Sequence, residues 1–160
     1  MEVQKQEAGA APLELLRIWI LAVLVLGLLG TITELILLEH YEEPLQFVPL
    51  ILITLALVTV IWHLARRGVT SLNALMGLMG LFVIAGVVGC IAHFYGSAEF
   101  QLDLDPQMST WELIDKVLRA KAPPLLAPGM MIQLGLLGLA YVLSDLRYRS
   151  SFRFMASKEW

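Results

Sequence analysis

The stretch Thr31-Ile-Thr-Glu-Leu-Ile-Leu-Leu-Glu-His-Tyr-Glu-Glu-Pro44 leaves a long apolar segment and ends in a cluster of acids, a histidine and a tyrosine. Upstream of it, Ile18 to Thr33 contains no charged residue; downstream, Leu45 opens a second apolar run. Two apolar runs joined by a short polar turn are the pattern of a chain that crosses a bilayer and comes back. Glu34 is the odd residue, because it sits more than a helical turn before the first run stops, where a charge is expensive.

Composition points the same way. The 160 residues are 58% hydrophobic and 16% charged, with a mean hydropathy of +0.75, whereas soluble domains are nearer half apolar and a quarter charged. A chain this short cannot hide that much apolar surface in one soluble core, so lipid is its natural solvent. Apolar segments lie at about 13–38, 45–64, 69–95 and 125–144. Each is near or above the roughly 20 residues that cross about 30 Å of hydrocarbon at about 1.5 Å per residue. In lipid every backbone polar group must be paired within its own segment, which calls for helices. Short connections make consecutive helices antiparallel. The expected fold is an all-α integral membrane protein, a single membrane domain over 1–160. It is a four-transmembrane-helix up-down-up-down bundle with an extracytoplasmic loop, 96–124, that carries a short amphipathic helix.

Orientation follows from Lys and Arg. One side holds Lys5, Arg17, Arg66, Arg67, Arg147, Arg149, Arg153 and Lys158; the other holds Lys116, Arg119 and Lys121. Positive flanks stay in the cytoplasm. The expected location is the cell membrane, multi-pass, with cytoplasmic tails 1–12 and 145–160. The first tail reads as short and poorly ordered. Its flank is not basic overall and no A-x-A site follows, so the first apolar run is a spanning helix and not a signal peptide. Arg66 and Arg67, and Arg147, Arg149 and Arg153 interleaved with Tyr148, Phe152 and Phe154, read as membrane-surface anchors. In the outer loop Ser109-Thr-Trp-Glu112 has the form of a capping box. Trp111, Ile114, Val117 and Leu118 follow at helical spacing.

Helical phase then proposes a site. Gly27, Gly30, Thr31, Glu34 and Tyr41 share one face of the first helix, and small residues let helices approach closely in a membrane. Phe82, Ala85, Gly86, Gly89, His93 and Gly96 share a face of the third, with Gly77 and Gly80 on the opposite side. Gln133, Ala140, Tyr141 and Ser144 share a face of the fourth. The expectation is an intramembrane polar site of Glu34, His93, Gln133 and Thr31 in the outer half. Its structural counterpart is a neutral Glu34 that only fixes packing. A metal or haem at the outer face would draw on His93, His40, Glu34 and Glu39, since imidazole and carboxylate suit zinc, copper or iron, although His40 falls off the packing face. His63, near the inner end of the second helix, reads as an ordinary interfacial histidine.

No phosphate-binding glycine loop, H-E-x-x-H, C-x-x-C-H or catalytic-triad spacing occurs, so the chain leans away from enzyme chemistry, and no cofactor is required. Cys90 is the only cysteine, which rules out an intrachain disulfide. A net charge of −3 and basic residues gathered beside apolar segments argue against a nucleic-acid partner. The leading functional expectation is a non-enzymatic accessory or scaffold subunit of a membrane assembly, in contact with the lipid bilayer and a protein partner or further copies of itself. The alternatives are proton-coupled or cation transport through Glu34, and metal or haem binding through His93 with His40 or Glu34. Glu34-Leu-Ile-Leu-Leu-Glu-His-Tyr-Glu-Glu43 followed by Gln46-Phe-Val-Pro49 resembles small bacterial membrane proteins. That resemblance implies a bacterial-type inner membrane and carries no activity with it.

Overall fold

The computed structural model describes the backbone of residues 2–120 and 128–156 and the side chains of 12–120 and 128–145. The described residues are helical, with no strand among them. Helix α1 runs Glu2–Leu37, α2 Phe47–Arg66, α3 Val69–Leu104, α4 Thr110–Leu118 and α5 Gly129–Ala156, and a 3-10 turn over Pro44–Gln46 leads into α2. Pro12–Leu37, Pro44–Arg66 and Val69–Leu104 are long and apolar enough to cross a membrane, and Gly129–Asp145 is a shorter apolar helix. This is compatible with a helical membrane protein.

The helices overrun their apolar segments. The first tail is helical from Glu2, with Pro12 inside α1, because Glu, Gln, Lys and Ala are good helix formers. α3 was expected to stop at 95 but reaches Leu104. Ser97 and Ala98 in that extension are buried where α4 packs on α3, so tertiary contact sustains a helix that hydropathy alone would end. At about 1.5 Å per residue α3 is about 54 Å long, well beyond about 30 Å of hydrocarbon. α5 begins at Gly129 and continues to Ala156, so Arg147, Arg149 and Arg153 lie on its last turns and not in an open tail.

α3 and α5 form the centre, α2 packs on α3, and α1 packs on α5 and α2. The core between them is Leu24, Leu28, Ile53, Val60, Leu72, Leu75, Met79, Phe82, Leu134 and Val142. Glycine makes the α3–α5 approach close. A Cβ on Gly135 would lie 2.7 Å from the Met79 carbonyl oxygen, and one on Gly86 would lie 2.9 Å from the Ile132 amide nitrogen. Gly77 and Gly80 face open space, so the expected second close-packed side of α3 is not used within this chain. Elsewhere the apolar surface turns outward. Only 11% of the most apolar window of α1, and 22% of those of α2 and α3, is buried, the reverse of a soluble core.

α4 starts where expected. Ser109 Oγ accepts from the Glu112 amide at 3.4 Å, but the reciprocal half of the capping box is replaced by a Glu112–Lys116 ion pair at 3.1 Å. Val117 is buried and Ile114 half-buried, while Trp111 is 82% exposed. One edge of the helix therefore grips α3 and the other looks outward.

Candidate functional site

The expected meeting of Glu34, Thr31, His93 and Gln133 does not form. Glu34 and Gln133 are exposed, and Thr31 and His93 are half-buried. The inward stripe of α1 is Arg17, Leu21, Leu24, Leu28 and Leu35, about one residue of helical phase away from the Gly27–Glu34 face. Both helices supply small residues to this contact: Gly27 of α1 lies against Leu134 of α5, and Gly138 of α5 receives Leu24. A Cβ on Gly138 would be 3.5 Å from Leu24 Cδ2, so α1 presents leucines to a glycine groove. Gly30 on α1 has nothing within 4 Å. The inward stripe of α5 is likewise Met131, Leu134, Gly135, Gly138, Val142 and Asp145, which turns Gln133 outward. Glu34 lines a shallow apolar groove with Leu29, Gly30, Thr33, Leu37 and Leu38.

The outer histidines do meet. α1 ends in a reversal in which the Leu38 amide donates to the Glu34 carbonyl at 2.9 Å and the His40 amide donates back to the Leu35 carbonyl at 2.9 Å. Glu39, between them, has a φ of 52°. A six-to-one bond across a left-handed residue is the Schellman ending of a helix, here with glutamate where glycine is usual. The turn breaks the helical phase, so the projection that aimed His40 away from the packing face does not apply. His40 and His93 ring centroids lie 6.5 Å apart with planes at 43°. Burial, and then the charge of His93, hold His40 below the usual histidine pKa, because both disfavour a second imidazolium there. His93 Nδ1 and Ser97 Oγ, one helical turn apart on α3, are buried without hydrogen-bond partners. Glu39 is exposed, and no cluster of three or more His, Cys, Asp or Glu forms among the described residues. The expected carboxylate ligands therefore stand away from the imidazole pair.

Sequence reasoning missed a second polar group at the other end. Arg17 of α1 pairs with Asp145 of α5, and their side chains are 13% and 3% exposed. His63 of α2 is 3% exposed, with Nδ1 3.0 Å from Ser71 Oγ. The Ser71 hydroxyl donates to the Gly68 carbonyl at 2.9 Å. Its one proton is spent there, so the His63 Nδ1–H is the donor to Ser71. The Tyr141 ring meets His63 edge-on at 5.8 Å, one turn before Asp145. Each of the four long helices thus contributes to a polar cluster at the end of the bundle opposite His40 and His93. His63, in the last turn of α2 as expected, is buried between helices. Arg66 and Arg67 do lie exposed, with Arg67 in the left-handed region, φ 44°, where it caps α2. The usable signal was spacing: Tyr141 and Asp145 stand one turn apart on the stripe that carries Gly135 and Gly138.

Chemically, the inner cluster holds paired and hydrogen-bonded groups, and the outer pair offers ring nitrogens and a hydroxyl. Comparison of the chain with protein-family models, curated proteins and solved structures finds no match.

Proposed function

We propose that the chain is a multi-pass protein of a bacterial-type inner membrane, crossing four times with both termini cytoplasmic, and that it acts as a non-enzymatic accessory or scaffold subunit. The observation that carries this is the outward position of Glu34 and Gln133 on apolar helices. Polar groups within a membrane segment are costly unless they find a partner. The exposed Thr33, Thr54 and Thr59 hydroxyls donate to their own helix carbonyls at 2.7–2.8 Å. The Glu34 carboxylate has no such bond among the described residues, and beside it Gly30 leaves room for another helix. A groove of that form suits a neighbouring helix bearing a donor, from a partner subunit or a second copy.

The test is the mass of the untagged protein extracted in mild detergent, with crosslinking from a cysteine placed at Gly30 in native membranes. The expected result is a particle larger than the 17.8 kDa chain and a crosslink lost in Glu34→Leu. A monomer that forms no crosslink would overturn the proposal. Reporter fusions at the termini and at Gln107 test the four crossings, and the two ends must report the opposite side from Gln107.

A further inference from the structure

We propose that the outer end of the molecule is a binding site for a borderline divalent transition metal such as Zn2+, Cu2+ or Ni2+, with His40 and His93 as its protein ligands. This stands independently of the accessory role.

The two imidazoles come from elements far apart in sequence, yet the fold sets their centroids 6.5 Å apart. Two imidazoles on one ion, with about 2.0–2.1 Å per metal–nitrogen bond, have centroids roughly 5–6.5 Å apart as the angle at the metal opens. The observed spacing lies at the open end of that range. His40 is half-buried on the turn after α1, so a change of its rotamer closes the angle while His93 stays fixed by α3.

Three features mark the place as built for a ligand. His93 Nδ1 and Ser97 Oγ are buried with no hydrogen-bond partner, and Ser97 is only 4% exposed. Polar atoms left in that state are costly, and native structures keep few of them. A metal-bound histidine needs an acceptor for its other ring N–H; Ser97, one turn along α3, makes no such bond here and takes that role only once the metal sets the His93 ring. Glu39 holds a left-handed φ of 52°, an unfavourable conformation for a side chain of its size, and that conformation is what swings His40 toward His93. His40 is half-buried on that turn, with its ring beside the His93 ring.

No third His, Cys, Asp or Glu closes around the pair among the described residues. The rest of the coordination shell belongs to water or to an exogenous ligand, as in metal sites that keep an open position. Haem fits less well, because neither apolar groove of the outer surface is lined by a histidine.

The experiment is equilibrium dialysis of the full-length untagged protein in mild detergent against Zn2+ and Co2+, with elemental analysis and the cobalt d–d spectrum as readouts. One equivalent is expected. His40→Ala and His93→Ala should each weaken binding roughly 100-fold or more, and Ser97→Ala about 10-fold, as for outer-shell partners. Gln133→Ala should change nothing. If His93→Ala loses helicity, His40→Gln, on the turn, carries the test. Binding that survives the His40→Ala/His93→Ala double variant would overturn the site. So would the absence of near-stoichiometric metal and of a cobalt spectrum in the wild type. Neither result depends on whether the protein runs as an assembly.

Discussion

Breaking the Arg17–Asp145 pair should cost far more than breaking any other ion pair in the described chain, and exposure decides the magnitude. The Arg17 and Asp145 side chains are 13% and 3% exposed. Removing one member of a buried pair costs about 3–5 kcal/mol where nothing else compensates the other, and less to the extent that the further interactions of Arg17 and Asp145 hold it. The two members differ. Arg17 sits a few residues into the apolar part of α1, and its long side chain can reach toward the membrane surface when Asp145 is gone, so Asp145→Ala should fall at the low end. Asp145 is short and almost fully covered, so Arg17→Ala should fall at the high end. Replacing both with apolar residues of similar size, Arg17→Met with Asp145→Leu, should restore most of the stability, because the desolvation cost disappears with the charges. The built-in control is Arg119–Asp115 on α4, with side chains 79% and 58% exposed, where loss should stay within about 0–1 kcal/mol. The assay is reversible unfolding in mixed micelles by SDS titration, read by far-UV circular dichroism, on the wild type, the two alanine variants and the Arg17→Ala/Asp145→Ala double that closes the cycle, with the Met/Leu double measured beside them. Single variants that each cost less than the α4 control, or that add without coupling, would show that the inner end is wet and that this reading of it is wrong.

Gly135→Ala should destabilise by about 1–3 kcal/mol in the same titration, because its Cβ would press on the Met79 backbone carbonyl at 2.7 Å. Gly77→Ala and Gly80→Ala, with nothing within 4 Å, should be neutral or gain up to about 1 kcal/mol from helix propensity, and a loss there in the monomer would contradict the packing described. Glu39→Gly should leave the protein at least as stable, since it relieves a left-handed residue that costs roughly 1–2 kcal/mol, whereas Glu39→Val should lower the unfolding midpoint. The His40 pKa is depressed by burial first and by His93 second, so between that value and about 6.5 the unfolded chain binds more protons than the folded one. Stability is therefore highest above that window and falls as pH descends through it. Thermal midpoints at pH 5 and pH 7.5 should differ in that direction, and His40→Gln should flatten the difference.

The apolar runs were legible because length against bilayer thickness is a one-dimensional measurement, and α2, at Phe47–Arg66, departs from its expected bounds by two residues at each end. The N-cap at Ser109 was legible for a similar reason, since its chemistry is local. Helical phase was not. The rule that small residues mark the contact face reads each helix alone, yet a close approach needs the small residue on only one of two partners. Gly27 does meet Leu134 of α5, but Gly138 of α5 receives Leu24, so α1 turns Leu24 and Leu28 inward and carries Gly30 and Glu34 outward. A shift of one residue moves a side chain about 100°, enough to take the expected Glu34–His93 partnership apart. The His40–His93 contact was hidden by the opposite error. A helical wheel was carried past Leu37 into a turn where Glu39 has positive φ, and glutamate gives no sequence warning of that conformation.

The placement of polar groups argues for where the work of this chain is done. At the end of the bundle proposed to face the cytoplasm, Arg17 with Asp145 and His63 with Ser71 are matched pairs contributed by different helices. A matched pair in low dielectric fixes register, because sliding either helix by a turn would strand a charge. Such a cluster holds the helices in place and leaves little chemistry to spare. The outer end is built the other way. α3 is extended beyond any plausible membrane thickness, α4 is laid over the extension to bury Ser97 and Ala98, and a left-handed glutamate is tolerated to bring His40 across to His93. Yet two buried polar atoms of that region, His93 Nδ1 and Ser97 Oγ, are left unspent. Folding alone would favour satisfying or deleting them. Groups kept buried and unsatisfied by the chain call for a partner from outside it, an ordered water or a bound ligand.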